Sequence, residues 1–217
     1  MLWVLLAVSA VGIAAYAVPP YLTGNPADSS VPIDPDVAVH YLTLAVHAVP
    51  GGLAMIIGPF QFVNRLRVRR PRLHRIAGRV YMVSVLIATV ASLFAATFSL
   101  SGFAVRVGFY LLAAAWLYTL VKGYRSIRRG EVGLHRIWMI RNYALTFAGV
   151  TLRVYLILGL LLKQSVPSLA FDEIYTAAAW ASILGNVLVA EYFILHRTTA
   201  RRGERTPQNA PVLRSGR

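Results

Sequence analysis

The chain has 217 residues, of which 57% are apolar and 14% charged, with a mean hydropathy of +0.60. That composition excludes a disordered chain, which needs dense charge and low hydrophobicity, and an ordinary soluble domain, which is about 45–50% apolar. A net charge of +14 in a soluble protein would point to nucleic acid. Here 17 of the 22 Lys and Arg fall in three short segments instead, and no nucleic-acid partner is expected. The absence of cysteine excludes disulfides, thiolate metal sites, iron–sulfur clusters and a cysteine nucleophile.

A membrane-crossing helix needs about 20 mostly apolar residues. In chain order, six stretches meet that length or come near it: 2 to 18, 39 to 63, 76 to 99, 105 to 124, 137 to 162 and 173 to 195. The blocks are too long for strands and lack the alternation of a membrane barrel. The expected fold is therefore all-α, a polytopic transmembrane helical bundle forming one domain over residues 1–196. The first span ends in Ala15-Tyr16-Ala17 before Val18-Pro19-Pro20, which has the form of a signal-peptide cleavage site. It lacks a basic leader, and that favours an uncleaved anchor. The loop 19–38, rich in Pro, Asp, Ser and Gly, reads as an extended external segment. The basic tail 197–217 reads as disordered.

Lys and Arg mark the cytoplasmic side of short loops. Arg65, Arg67, Arg69, Arg70, Arg72 and Arg75 fill one linker. Lys122, Arg125, Arg128, Arg129 and Arg136 fill a second, and Arg197, Arg201, Arg202, Arg205, Arg214 and Arg217 fill the tail. With six spans all three lie on one side, while Asp28, Asp34, Asp36, Asp172 and Glu173 lie on the other. Both termini are expected in the cytoplasm, and anionic lipids of that leaflet are the expected partners.

Leu73-His74-Arg75-Ile76 recurs as Leu134-His135-Arg136-Ile137, so spans 2 and 3 read as a unit repeated in spans 4 and 5. Together with Gly51-Gly52-Leu53-Ala54-Met55-Ile56-Ile57-Gly58-Pro59-Phe60-Gln61-Phe62, the blocks His74-Arg75-Ile76-Ala77-Gly78-Arg79-Val80-Tyr81 and His135-Arg136-Ile137-Trp138-Met139-Ile140-Arg141-Asn142-Tyr143 carry a family resemblance. Over residues 40 to 160 the chain resembles the bacterial membrane-protein family filed as domain of unknown function 2306. The resemblance implies a multi-pass bacterial membrane protein and supplies no substrate.

Ionisable groups inside spans are costly, so each one invites a functional reading. On the outer side, His47 and Arg153 sit at similar depth. They are candidates to line a pocket beside Pro50, which cannot donate to Val46 and, with Pro59 and neighbouring glycines, should kink or interrupt the second span. The competing reading is that His47 is a satisfied bundle histidine and Arg153 snorkels outward. On the inner side Arg79, Arg141 and Glu191 fall about 7–9 Å inside the boundary by helical rise, with Gln61 and Asn142 near that level and His74 and His135 just above. Glu191 should pair with Arg141 or Arg79, leaving positive charge for an anionic headgroup.

The inner histidines, His74 and His135, are the one pair at equal depth on different spans that b-type haem could use, although at the interface they offer a porphyrin little shelter. No i, i+3 or i, i+4 ligand pair favours zinc or copper, and no nucleophile or acid–base motif is present. The favoured function is binding or transport of a small amphipathic or anionic molecule, a lipid or a quinone-like compound. The alternatives are haem electron transfer and a structural or assembly role in a membrane complex.

Overall fold

The computed structural model describes residues 2–203, with side chains described for residues 3–196. Its helices are α1 (Leu2–Ala17), α2 (His40–Gln61), α3 (Asn64–Arg69), α4 (Pro71–Phe98), α5 (Phe103–Arg128), α6 (Val132–Ser165) and α7 (Phe171–Gly203), with two 3₁₀ turns between α1 and α2. All except α3 are long and apolar enough to cross a membrane. Their outer surfaces are aliphatic: Leu5 is 68% exposed and Leu188 70%. Apolar faces of that extent need lipid rather than water around them. The protein is a multi-pass, all-helical membrane protein.

Two helices, α4 and α6, start five residues earlier than their hydropathy predicts. Pro71 opens α4 and occupies its first helical position, where its fixed φ suits the helix and its missing N–H removes no bond. His74 and His135 therefore lie inside α4 and α6, not in linkers ahead of them. Arginine is a good helix former, so the backbone continues where the apolar run has stopped. Likewise α7 continues through Gly203, seven residues past His196. The rest of the basic tail, expected to be disordered, lies outside the described residues.

The most extensive helix pairings are α2 with α4 and α6 with α7, followed by α5 with α6, α4 with α5 and α1 with α2. Lipid supplies no hydrophobic drive for helices to associate, so the interfaces depend on small residues that let backbones approach. Ala54, Ala88, Ala113, Ala148, Ala178 and Ala179 are all buried. The N-terminal helix belongs to this packing. Its Ala10 and Ala14 meet Met55 of α2 and Val150 of α6, and Trp3 Nε1 donates to the Pro59 carbonyl at 3.0 Å.

α2 runs unbroken through both prolines, not interrupted as its composition predicts. Pro59 cannot donate to the Met55 carbonyl, and the Tyr143 hydroxyl takes over that role at 3.0 Å. The substitution requires Gly58, because a Cβ there would overlap the Tyr143 ring. A neighbouring side chain thus restores the bond that proline removes. The loop ahead of α2 is tied down as well: His40 Nδ1 accepts from Asp34 N at 2.9 Å, and Tyr41 donates to the Pro20 carbonyl at 3.1 Å.

Candidate functional site

Between α4, α5 and α6 lies a buried polar network. Tyr81 donates to Asn142 Oδ1 at 2.7 Å and meets Thr146 Oγ1 at 3.0 Å. Asn142 Nδ2 donates to the Trp116 carbonyl at 2.9 Å and to Thr119 Oγ1 at 3.0 Å, while Trp116 Nε1 donates to Thr146 Oγ1 at 2.9 Å. Each member uses its donors or acceptors on another, which is what a polar group inside a bilayer requires. Tyr81 stands seven residues after His74 and Asn142 seven after His135, so their bond joins matching positions of the recurring tetrapeptide.

Towards the arginine-rich end, Arg141 and Glu191 form a two-pronged ion pair across α6 and α7, with Nη2 to Oε2 at 2.9 Å and Nε to Oε1 as the second prong. The Arg141 guanidinium also lies 4.7 Å over the Trp138 ring. Arg79 does not join this pair; its side chain is exposed on α4. Asn142, one residue on from Arg141, turns into the α4–α5 network instead of towards Glu191, because successive helical residues point about 100° apart. Gln61 packs beside Gly78, 3.3 Å from where a Cβ there would lie, and its Nε2 is buried without a hydrogen-bond partner.

His74 and His135 are within electrostatic reach of each other. His135 Nδ1 lies 2.8 Å from the Gly123 carbonyl, and since a carbonyl can only accept, that nitrogen donates. His74 Nδ1 is buried and unpartnered. Among the described residues no three His, Cys, Asp or Glu gather as a metal site.

Beside this region α5 and α6 enclose a cleft of about 160 Å³ lined by Lys122, Arg125, Ser126, Arg129, Glu131, Leu134 and Trp138. Lys122 Nζ lies 5.5 Å over the Trp138 ring and 5.8 Å over Tyr118. The Trp138 indole N–H is buried without an acceptor. The cleft therefore offers three cations, one carboxylate and an unused indole donor.

At the opposite, acidic end, His47 Nδ1 lies 2.9 Å from the Ala88 carbonyl and donates to it, and its ring meets Trp116 edge-on at 6.4 Å. Arg153 is within electrostatic reach of His47. Arg153 Nη1 donates to the Gly149 carbonyl of its own helix at 2.7 Å. Pro50 stays within the continuous helix, three residues from His47.

Residues 44–194 match the family described as "Predicted membrane protein (DUF2306)". The chain belongs to that family. No curated protein and no solved structure matches it. The family match takes in both ends of the bundle, from His47 and Arg153 to Trp138, Arg141 and Glu191. Within it, the sequence reading missed the Trp138 cleft and the hydroxyl partners Tyr81, Thr119 and Thr146. One signal was available: the seven-residue step from each repeated histidine reaches Tyr81 and Asn142.

Proposed function

We propose that this protein binds an amphipathic molecule with an anionic headgroup, held at the arginine-rich end between α5 and α6. The cleft at Trp138 carries the reading. Lys122, Arg125 and Arg129 face a single carboxylate, Glu131, and none of the three is ion-paired among the described residues. A volume of about 160 Å³ is more than ten times the roughly 10–15 Å³ that one water needs. A phosphate oxygen would accept from the guanidinium forks and from the indole N–H, while the acyl chain stayed in the bilayer. Arg141 is already neutralised by Glu191 and is left out of this role.

We place this end in the cytoplasm and the protein in a bacterial inner membrane, where anionic lipids supply such headgroups. Reporter fusions after Arg70 and Arg202 should report a cytoplasmic position, and a fusion after Ser101 a periplasmic one; the reverse pattern would turn the protein over. The binding test is native mass spectrometry of the full chain with phosphatidylglycerol and phosphatidylcholine. Phosphatidylglycerol should be retained, and Lys122→Gln with Arg125→Gln and Arg129→Gln should remove it; equal retention by the triple variant would overturn the reading. A Soret band at one haem per chain would instead assign His74 and His135 as axial ligands.

A further inference from the structure

Arg153 lies 12 residues from the Ser165 end of α6 and 21 from the Val132 end, or about 18 Å and 32 Å by helical rise. The nearer aqueous surface is beyond Ser165, yet the side chain turns the other way and donates to Gly149, one turn deeper. The direction is built into the helix: Cα–Cβ bonds tilt towards the N-terminus, and on α6 that is the far end. Arg153 therefore does not snorkel outward. Gly149 lets Met55 approach closely, since a Cβ there would lie 3.0 Å from Met55 Cε, and the Arg153 Nη1 lies at ordinary contact distance, 3.8 Å, from the same point. The guanidinium sits where α1, α2 and α6 meet, one turn from the cluster of Ala10, Ala14, Met55 and Val150.

Among the described residues no carboxylate forms an ion pair with it. The groups that act on it electrostatically include His47 and the hydroxyls of Tyr175, Tyr21 and Tyr16. One of the five guanidinium N–H donors is spent on Gly149. Arg141 on the same helix has a carboxylate, so the fold can supply one where it is needed. A cation held this deep without a protein counter-ion calls for one from outside.

We infer that Arg153 is the anchor of a second binding site, at the acidic end, for the carboxylate of a free amphipathic organic acid. The guanidinium fork matches a carboxylate in two-pronged geometry. The apolar tail would run inward along α1, whose outer face carries Leu5 and Val8. His47 has Nδ1 committed to Ala88, so its Nε2 is the atom left to face a ligand. The site lies at the other end of the bundle from the Trp138 cleft and does not depend on it.

The test uses the full chain in phosphatidylcholine nanodiscs with dansyl-undecanoic acid as a fluorescent probe. Sodium decanoate should displace the probe and methyl decanoate should not. Arg153→Gln should weaken probe binding at least tenfold, and Arg153→Lys by less, because it keeps the charge and loses the fork. Met55→Glu, which sets a carboxylate beside the guanidinium, should also abolish binding with Arg153 intact, and it covers the case in which Arg153→Gln does not fold. Probe binding within twofold of the parent in either Arg153→Gln or Met55→Glu would overturn the site. Displacement by the methyl ester, or by phosphatidylglycerol and not decanoate, would do the same. In the background of the Lys122, Arg125 and Arg129 triple variant, which removes any probe held at the Trp138 cleft, Arg153→Gln should still weaken probe binding at least tenfold.

Discussion

Arg141 and Arg153 lie twelve residues apart on one helix and have opposite surroundings. Twelve helical steps turn the side chain by about 120° from its start, so Arg141 meets Glu191 while Arg153 faces His47 of α2 and Tyr175 near the start of α7. On the α7 side Glu191 and the Trp138 face hold the guanidinium. Arg153 instead has the Gly149 carbonyl, the His47 imidazole of α2 and the phenols of Tyr16, Tyr21 and, near the start of α7, Tyr175. The first is a lock between two helices, complete in itself. The second is an unfilled demand for negative charge, and we read it as a binding feature for that reason.

Asn142, next to Arg141, is the strongest test of how saturated that side is. Asn142→Leu removes three hydrogen bonds to Tyr81, Trp116 and Thr119, each worth about 1 kcal/mol or more when a buried partner is stranded. It should cost about 3 kcal/mol in a denaturing-detergent titration, and a loss under about 1 kcal/mol would mean that the network is dispensable.

A smaller effect is expected at the ion pair. Glu191→Gln should make Arg141 resemble Arg153 and cost about 1–2 kcal/mol, the lower part of the range for charged hydrogen bonds, since the partners are 27% and 36% exposed. Adding Arg141→Gln should return part of that loss, because no charge is then left without a partner. Additive losses in the double variant would remove the lock.

The converse experiment gives Arg153 the partner that Arg141 has. Met55→Glu should leave stability unchanged or raise it by about 1 kcal/mol with Arg153 present, and should destabilise an Arg153→Gln background. The same cost in both backgrounds would show that the two groups do not meet. Tyr143→Phe should cost about 1 kcal/mol, because it strands the Met55 carbonyl that Pro59 leaves without a donor. If the loss were absent, a backbone adjustment rather than the Tyr143 hydroxyl would be satisfying α2.

Residue order sets His47 level with Arg153 and Arg141 level with Glu191, and in the packed bundle Arg141 pairs with Glu191. It could not say that Glu191 prefers Arg141 to Arg79, because those arginines share a level and differ in the direction they face around the bundle. The same blindness hid the Trp138 cleft. Lys122, Arg125 and Arg129 read as linker charge, and only the docking of α5 on α6 turns them into a lining. Pro50 and Pro59 were legible as breakers, but their effect on α2 depends on a tyrosine more than eighty residues away.

From the chain alone came the class of the molecule, its six spans, its two unlike ends and its family, because burying about 20 apolar residues per crossing is a one-dimensional requirement that hydropathy records directly. Which face of each helix meets which neighbour was decided by tertiary structure. In lipid that choice depends on steric fit at close crossings, such as Gly58 beneath Tyr143 and Gly52 beneath Val18. Fit between distant residues is a property of volumes in three dimensions, and so the pairing of Arg141 and the isolation of Arg153 appear only once the helices are packed.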